Sequence, residues 1–204
     1  MPEIGSLLME GKGKRIYRTD DPDQLIVFFK DEAMAFHGLK RGRILGKGEV
    51  NNLVCQHLFS LLEKNGIPTH YIRQLDRRQS LVKHCEIIPF TVTVRNRVAG
   101  SLADRTGMVP GTELNPVVIE CNLKDAEFED SLINDTHIQA MHLATLDEIR
   151  EIHSMALKIN RVLTEYMKEI NIELIDFKLE FGRYHGKILL ADEISPDTCR
   201  FWDS

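Results

Sequence analysis

Long apolar runs, clustered cysteines and a surplus of basic residues are all missing from this chain of 204 residues. No stretch of eighteen apolar residues occurs, so the sequence predicts no membrane-spanning helix. The first residues lack the basic start and apolar stretch of a secretion signal. Lysine and arginine number 26 against 31 acidic residues, whereas a general nucleic-acid binder needs excess positive charge to face phosphates. We therefore expect neither a membrane partner nor a nucleic-acid partner.

The cysteines are few and scattered, at Cys55, Cys85, Cys121 and Cys199, with no Cys-x-x-Cys pair. This spacing indicates neither a zinc site nor a disulfide framework. The eight histidines also lack metal-ligand spacing. Four reduced thiols are the simplest expectation, and they predict a cytoplasmic protein.

What the sequence does contain is an ordinary globular composition, 43% hydrophobic and 28% charged, in a length suited to one large domain or two lobes. Strand patterns dominate the first third, and a helical pattern over residues 50–62 ends at Asn65-Gly66. A second helix begins near Thr145, where Glu148 completes a capping box. Strands and long helices without regular alternation indicate an α+β or mixed two-lobed α/β fold, with a boundary near residues 88–89.

The most informative pattern is a strict alternation from Ile175 to Phe181, which is the period of a strand. Asp176, Lys178 and Glu180 share one face of that strand, each about 6.6 Å from the next. A solvated outer face is the plain explanation for three charged residues in this arrangement.

The residues that follow favour a different explanation. A turn centred on His185 returns the chain as a second apolar strand that ends in Asp192 and Glu193. Such a hairpin predicts that Lys178 lies opposite Asp192, with Glu180 diagonal to it. Two carboxylates on one face suit Mg²⁺, which takes one or two protein carboxylates and completes its shell with water and substrate phosphates.

Three further segments suit an anionic ligand. In Gly11-Lys12-Gly13-Lys14, glycines let the backbone approach phosphates and lysines add charge, although a plain hairpin turn explains this segment alone and it is not a Walker P-loop. Arg95 leaves a strand ahead of Gly100-Ser101, which can begin a helix, but a solvated strand end is an equal alternative there. Arg200 offers a planar fork for phosphate or carboxylate.

Together these segments resemble the phosphoribosylaminoimidazole-succinocarboxamide synthase (SAICAR synthetase) family, over essentially the whole chain. The two longest and most specific matching stretches are 176–182 and 191–200. The shorter stretches that carry the resemblance are residues 10–17, 46–48, 86–89, 94–96, 99–101 and 132–134.

The resemblance implies a two-lobed, ATP-grasp-type or kinase-like α+β fold with the nucleotide in the cleft between lobes. Residues 1–88 would form a β-rich ATP-binding lobe, and residues 89–204 an α/β lobe with the ribotide and Mg²⁺ sites. The implied activity is an ATP- and Mg²⁺-dependent carbon–nitrogen ligase of purine biosynthesis. It would join the carboxylate of carboxyaminoimidazole ribotide (CAIR) to the amine of L-aspartate. These small molecules would be its partners, and an interface between copies of the chain is left open.

The resemblance also implies a role for individual residues, position by position. The residues that would bind ATP are Lys12, Gly13, Lys14, Lys83, Glu86, Glu180 and Asp192, and Glu180 and Asp192 would also hold Mg²⁺. The residues that would bind the ribotide are Arg95, Ser101, Asp176, Lys178 and Arg200. The catalytic residues would be Lys124, near the reacting carboxylate, with Lys178 and Asp176.

Some positions depart from the family pattern. Phe90 and Thr91 stand where the family usually has an aliphatic residue and glutamate, and residues 121–123 replace an aromatic approach to Lys124. The neighbourhood of the second substrate is therefore altered.

Two alternatives to the purine-pathway ligase stay open. One is a diverged relative that uses a related ribotide in specialised nucleoside synthesis, with another acceptor or none. The other is a non-catalytic nucleotide-binding homologue, although every implied metal and phosphate ligand is present.

Overall fold

The computed structural model describes residues 2–35, 40–124 and 131–203. In those ranges the helices are α1 (Lys47–Lys64), α2 (Ser101–Thr106), α3 (Asp135–Ala140) and α4 (Leu146–Glu169). The strands are β1 (Leu7–Glu10), β2 (Lys14–Arg18), β3 (Gln24–Phe29), β4 (Glu32–Ala35), β5 (Lys40–Arg43), β6 (Tyr71–Gln74), β7 (Gln79–Lys83), β8 (Glu86–Arg97), β9 (Glu113–Leu123), β10 (Leu132–Ile133), β11 (Ile172–Tyr184), β12 (Lys187–Ala191) and β13 (Cys199–Asp203).

The first sheet is antiparallel, in the order β1-β2-β3-β7-β6, and the strands β4 and β5 form a separate two-stranded antiparallel sheet. Its central strand β3 places Val27 and Phe29 in the core, where they meet Phe59 of α1. Gly48 brings α1 close to this sheet, because a Cβ at that position would clash with the carbonyl oxygen of Phe29. The start of α1 therefore lies directly against the end of β3.

The second sheet runs in the order β10-β9-β8-β11-β12, and β13 pairs with the first half of β11. The apolar residues of β8 and β11, such as Val92 and Phe177, pack in one core with the buried stripe of α4. The predicted capping box is confirmed, since Thr145 and Glu148 each bond the other's backbone N–H. None of the helices in the described ranges is long and apolar enough to cross a membrane.

The opposite face of the second sheet is polar, because side chains alternate along each strand. Its central members come from β8, namely Thr91, Thr93 and Arg95. On one side they lie opposite Glu180, Lys178 and Asp176 of β11 respectively. On the other side Thr93 lies opposite Glu120 of β9, and Thr91 opposite Asn122. Residues predicted separately for the metal and for the ribotide therefore share one surface.

The chain passes from the first sheet to the second between the end of β7 at Lys83 and the start of β8 at Glu86. Both contribute to one core, and the backbone N–H of His70 donates to the carbonyl oxygen of Leu190 at 2.8 Å. The predicted α+β class is confirmed. The lobe limits at residues 1–88 and 89–204 stay a prediction, and residues 88–89 lie inside β8.

The predicted register of the β11–β12 hairpin is wrong by one residue. Glu180 lies opposite Ala191, and the turn consists of His185 and Gly186, with φ values of 47° and 76°. A two-residue turn with positive φ at both positions is a preferred hairpin connection, whereas centring the turn on His185 required an odd number of loop residues. Lys178 therefore does not face Asp192 across the hairpin, and its cross-strand neighbour in β8 is Thr93.

Candidate active site

Lys14 links the turn between β1 and β2 to the end of β12. We call this turn, residues 11–14, the glycine turn. Its Nζ lies 2.5 Å from Oδ1 of Asp192 and 2.9 Å from Oε1 of Glu193. Burial of the ammonium group opposes its charge, but the two carboxylates outweigh that effect and raise the pKa of Lys14 above its ordinary value. Lys14 is therefore fully charged at neutral pH and ties the glycine turn to these acids.

Asp192 follows β12 in a left-handed backbone conformation, with φ of 61°. Its carbonyl oxygen accepts a hydrogen bond from Nε2 of His70 at 3.1 Å. Because a carbonyl oxygen can only accept, Nε2 carries the proton in this arrangement. Burial lowers the pKa of His70 to about 4, so the ring is neutral at pH 7. The nearby Lys14 ammonium keeps the pKa of the Asp192 carboxyl low, although burial works in the other direction.

Glu180 and Asp192 are the predicted metal ligands, and the structure brings them together. Burial and, next to it, the charge of Asp192 raise the pKa of Glu180. Nζ of Lys124 lies 2.5 Å from Oε2 of Glu180 and partly offsets that repulsion. The described ranges contain no cluster of three or more His, Cys, Asp or Glu suited to a metal. Two repelling carboxylate oxygens are nevertheless a donor set that fits Mg²⁺ beside substrate phosphates.

A second cluster surrounds Asp176. The buried Arg95 donates from Nη1 to Oδ2 of Asp176 at 2.9 Å and from Nη2 to Oγ of Ser101 at 3.0 Å. Nη1 of Arg200 donates to the same Oδ2 at 3.2 Å. Gly100 has φ of 51°, and a Cβ there would lie 2.7 Å from Nη2 of Arg200. The predicted ribotide residues therefore converge, with Arg200, 40% exposed, on the open side.

Lys178, which both the ribotide and the catalytic sets include, lies between these two clusters on β11. Its side chain is exposed, and its backbone N–H donates to the carbonyl oxygen of Thr198 at 2.8 Å. The strand therefore orders Asp176, Lys178 and Glu180 along one line that runs from the ribotide cluster to the metal pair.

The remaining predicted residues lie apart from these clusters. Lys12 is exposed on the glycine turn. Nζ of Lys83 donates to the carbonyl oxygen of Thr69 at 2.9 Å. The carboxylate of Glu86 is largely exposed and pairs with Arg183 at 3.2 Å. Lys83 and Glu86 therefore flank the connection between the sheets, with both side chains engaged by the protein.

Sequence reasoning missed four charged residues in this region. Glu193 is buried and accepts hydrogen bonds from Lys14 and from Oγ of Ser195. Glu120 accepts from Nε of Arg95 at 2.8 Å. Lys47 and Asp197 form an ion pair between the start of α1 and the loop before β13. Only the position of Glu193 beside Asp192 at a strand end offered a signal, because the other pairings join distant parts of the chain.

Comparisons with known proteins identify the family of this chain. A family model described as SAICAR synthetase matches residues 7–204. A phosphoribosylaminoimidazole-succinocarboxamide synthase of Clostridium kluyveri is 49% identical over 200 residues, which are 98% of this chain and 85% of that protein. The crystal structure of the enzyme of that name from Ehrlichia chaffeensis gives a TM-score of 0.95 at 40% identity, over 97% of this chain and 85% of that one. A SAICAR synthetase in complex with ADP gives a TM-score of 0.93 at 45% identity, over 96% of this chain and 83% of that one. The chain therefore belongs to the SAICAR synthetase family.

Proposed function

We propose that this chain joins the carboxylate of CAIR to the amine of L-aspartate at the expense of ATP, giving SAICAR for purine biosynthesis. The observation that supports this most directly is the shared polar face of the second sheet. There Glu180, which feels the charge of Asp192, lies in line with Asp176 through Lys178. A ligand that spans the line would present one end to a metal-bound triphosphate and the other to Arg200.

ATP is assigned to the glycine turn and to the connection between the sheets. Gly13 admits close approach of the phosphates, and Lys12 and Lys14 supply positive charge. The adenine would lie against the connection flanked by Lys83 and Glu86. The related protein solved in complex with ADP supports a nucleotide in this family. The two engaged side chains fix the course of this connection, and its backbone would be the part that meets the base.

Mg²⁺ is assigned to Glu180 and Asp192. When bound, the ion would neutralise charge on the phosphates during transfer to the CAIR carboxylate. Lys14 and Lys124 would keep the two carboxylates ionised and oriented. Positioned positive charge of this kind is the main contribution that a protein makes to phosphoryl transfer.

The ribotide is assigned to Arg95, Ser101, Asp176, Lys178 and Arg200. Arg95 is buried and donates to Glu120, Asp176 and Ser101, so it would orient Asp176 and Ser101. Arg200 is the more open guanidinium, and its planar fork suits a phosphate monoester. Lys178 and Lys124 would face the carboxylate that is activated, with Asp176 holding the ribotide beside them.

The acceptor amine is the part of the reaction for which the chain has its own features. Thr91 replaces the usual glutamate, and its buried hydroxyl has no partner among the described residues. Cys121 replaces an aromatic residue, and its Sγ lies 3.7 Å from Nε2 of His153. These changes support the second candidate, a diverged enzyme that uses a related ribotide with another acceptor or none.

An assay of ADP release with ATP, Mg²⁺ and CAIR, with and without L-aspartate, tests the proposal. We expect release that depends on aspartate, together with a product whose mass corresponds to the succinyl amide. Release without aspartate would favour the diverged enzyme, and nucleotide binding without any release would favour a non-catalytic homologue. We also propose a cytoplasmic location, which four free cysteines suit.

A further inference from the structure

A further ammonium group lies against the glycine turn. Lys47 is the first residue of α1, and its Nζ pairs with the carboxylate of Asp197, 150 residues further along the chain. A Cβ on Gly13 would lie 3.9 Å from Nζ of Lys47 and 3.6 Å from Oδ2 of Asp197. The pair therefore borders the same turn that carries Lys12 and Lys14.

The position of Lys47 does not serve the stability of the helix. The positive end of the helix dipole disfavours a cation in the first turn. Only 13% of the Lys47 side chain is exposed, so it has also lost rotational freedom. The backbone N–H of Gly48, at the start of the helix, is already taken by the Asp31 carboxylate at 3.0 Å. Local rules are broken in this way mainly at functional sites.

The end of β3 fixes the position of Lys47 relative to the glycine turn. Gly48 packs directly on the carbonyl oxygen of Phe29, where no larger residue fits. The next residue, Lys30, donates its backbone N–H to the carbonyl oxygen of Gly13 at 2.8 Å. One short segment therefore holds the start of α1 and the glycine turn together, which keeps Lys47 beside Gly13.

We propose that Lys47 is a third phosphate-binding lysine, which exchanges the Asp197 carboxylate for the terminal phosphates of the bound nucleoside triphosphate. The inference rests on the proposed function, because it requires the triphosphate to lie along the glycine turn. A phosphate oxygen in contact with Gly13 comes within reach of Nζ of Lys47. The exchange keeps this ammonium group paired in both states. Lys14 pairs with two carboxylates and Lys47 with one, so the charge of Lys47 adds to that of Lys14 and has a single partner to exchange.

The test is titration calorimetry of the full chain with Mg²⁺ and a non-hydrolysable ATP analogue, and separately with AMP. Lys47→Gln is expected to weaken binding of the ATP analogue about tenfold or more, because a charged hydrogen bond is lost. AMP, which lacks the terminal phosphates, is expected to bind equally well. Lys47→Arg should restore most of the affinity. Lys64→Gln, at the exposed far end of α1, is the matched control and should bind both nucleotides like the wild type.

Asp197→Asn separates phosphate binding from a purely structural ion pair. Removal of the competing carboxylate should leave binding of the ATP analogue unchanged or tighter. If the ion pair is purely structural, Asp197→Asn should weaken binding of the ATP analogue as much as Lys47→Gln does. Equal losses in the two variants would overturn the inference. The inference is also overturned if Lys47→Gln binds the ATP analogue like the wild type, or if it loses as much affinity for AMP as for the analogue. A wild-type protein that binds neither nucleotide contradicts the proposed function itself.

Discussion

The ring of His70 donates a hydrogen bond to the backbone carbonyl of Asp192 at 3.1 Å, across 122 positions of the chain. This contact fixes the left-handed residue whose carboxylate we propose as a ligand of Mg²⁺. It also joins the first sheet to the end of β12. The geometry of the proposed metal site therefore depends on a side chain that is not itself a proposed ligand.

The buried His70 ring should make stability depend on pH. Its pKa is about 4 in the folded chain against an ordinary value of 6.5, so the unfolded chain takes up the proton first. The contribution of the neutral His70 ring to the free energy of unfolding is fully present above pH 6.5. It is lost as the pH decreases towards 4, by up to about 3 kcal/mol. His70→Gln should lose this component in urea denaturation between pH 7 and pH 4.5. His57→Gln, an exposed histidine, should keep it, and an equal pH dependence in both variants would refute the assignment.

Asp192→Asn should abolish most of the turnover without unfolding the protein. The amide is a poorer ligand for Mg²⁺, while Glu193 remains as a partner for Lys14. We expect ADP release to fall by roughly 100- to 1000-fold, with an unchanged circular dichroism spectrum. Asp147→Asn, on the exposed first turn of α4, is the control and should retain wild-type turnover. Turnover of Asp192→Asn within a few-fold of the wild type would exclude Asp192 as a metal ligand.

Arg200→Lys should impair the ribotide more than ATP. Lysine keeps the charge but loses the planar fork that lies over Gly100 and reaches Asp176. The KM for CAIR is expected to rise about tenfold, with the KM for ATP unchanged. Steady-state kinetics with each substrate varied in turn measure both values. A parallel rise in the two constants would mean that Arg200 supports the whole site.

Thr93→Val should stabilise the fold. The Oγ1 of Thr93 is buried and has no hydrogen-bond partner among the described residues, and valine has nearly the same shape. Removal of an unpaired buried hydroxyl is expected to add about 1 kcal/mol to the free energy of unfolding. Thr198→Val is the contrast, because Oγ1 of Thr198 accepts from the backbone N–H of Ser195 at 3.1 Å. It should lose about the same amount. Destabilisation by Thr93→Val in urea titrations would reveal a partner for that hydroxyl.

Local patterns predicted much of the fold and part of the site. The alternation over residues 175–181 fixed both the strand and the face that Asp176, Lys178 and Glu180 share. The capping box located the start of α4. The register of the β11–β12 hairpin could not be predicted, because it depends on the number of residues in the turn. The sequence is compatible with several turn lengths, and the positive φ angles at His185 and Gly186 select the two-residue turn.

Long-range pairing was beyond the reach of sequence patterns. Lys12 and Lys14 look equivalent in the glycine turn, yet only Lys14 meets Asp192 and Glu193. Which lysine points inward depends on how β2 packs against residues 178 positions away. The same limit applies to Lys47, because no residue near it in the sequence indicates that Asp197 is its partner.

The lysine–carboxylate pairs at Lys14 and Lys124 have a consequence for the resting enzyme. Each acidic group proposed to chelate magnesium already has an internal counter-ion. Each lysine therefore offsets part of the repulsion between Glu180 and Asp192, and Lys14 does the same for the neighbouring Glu193. Removal of Mg²⁺ by EDTA should therefore stop ADP release and leave the melting temperature nearly unchanged, because these internal pairs do not depend on the ion.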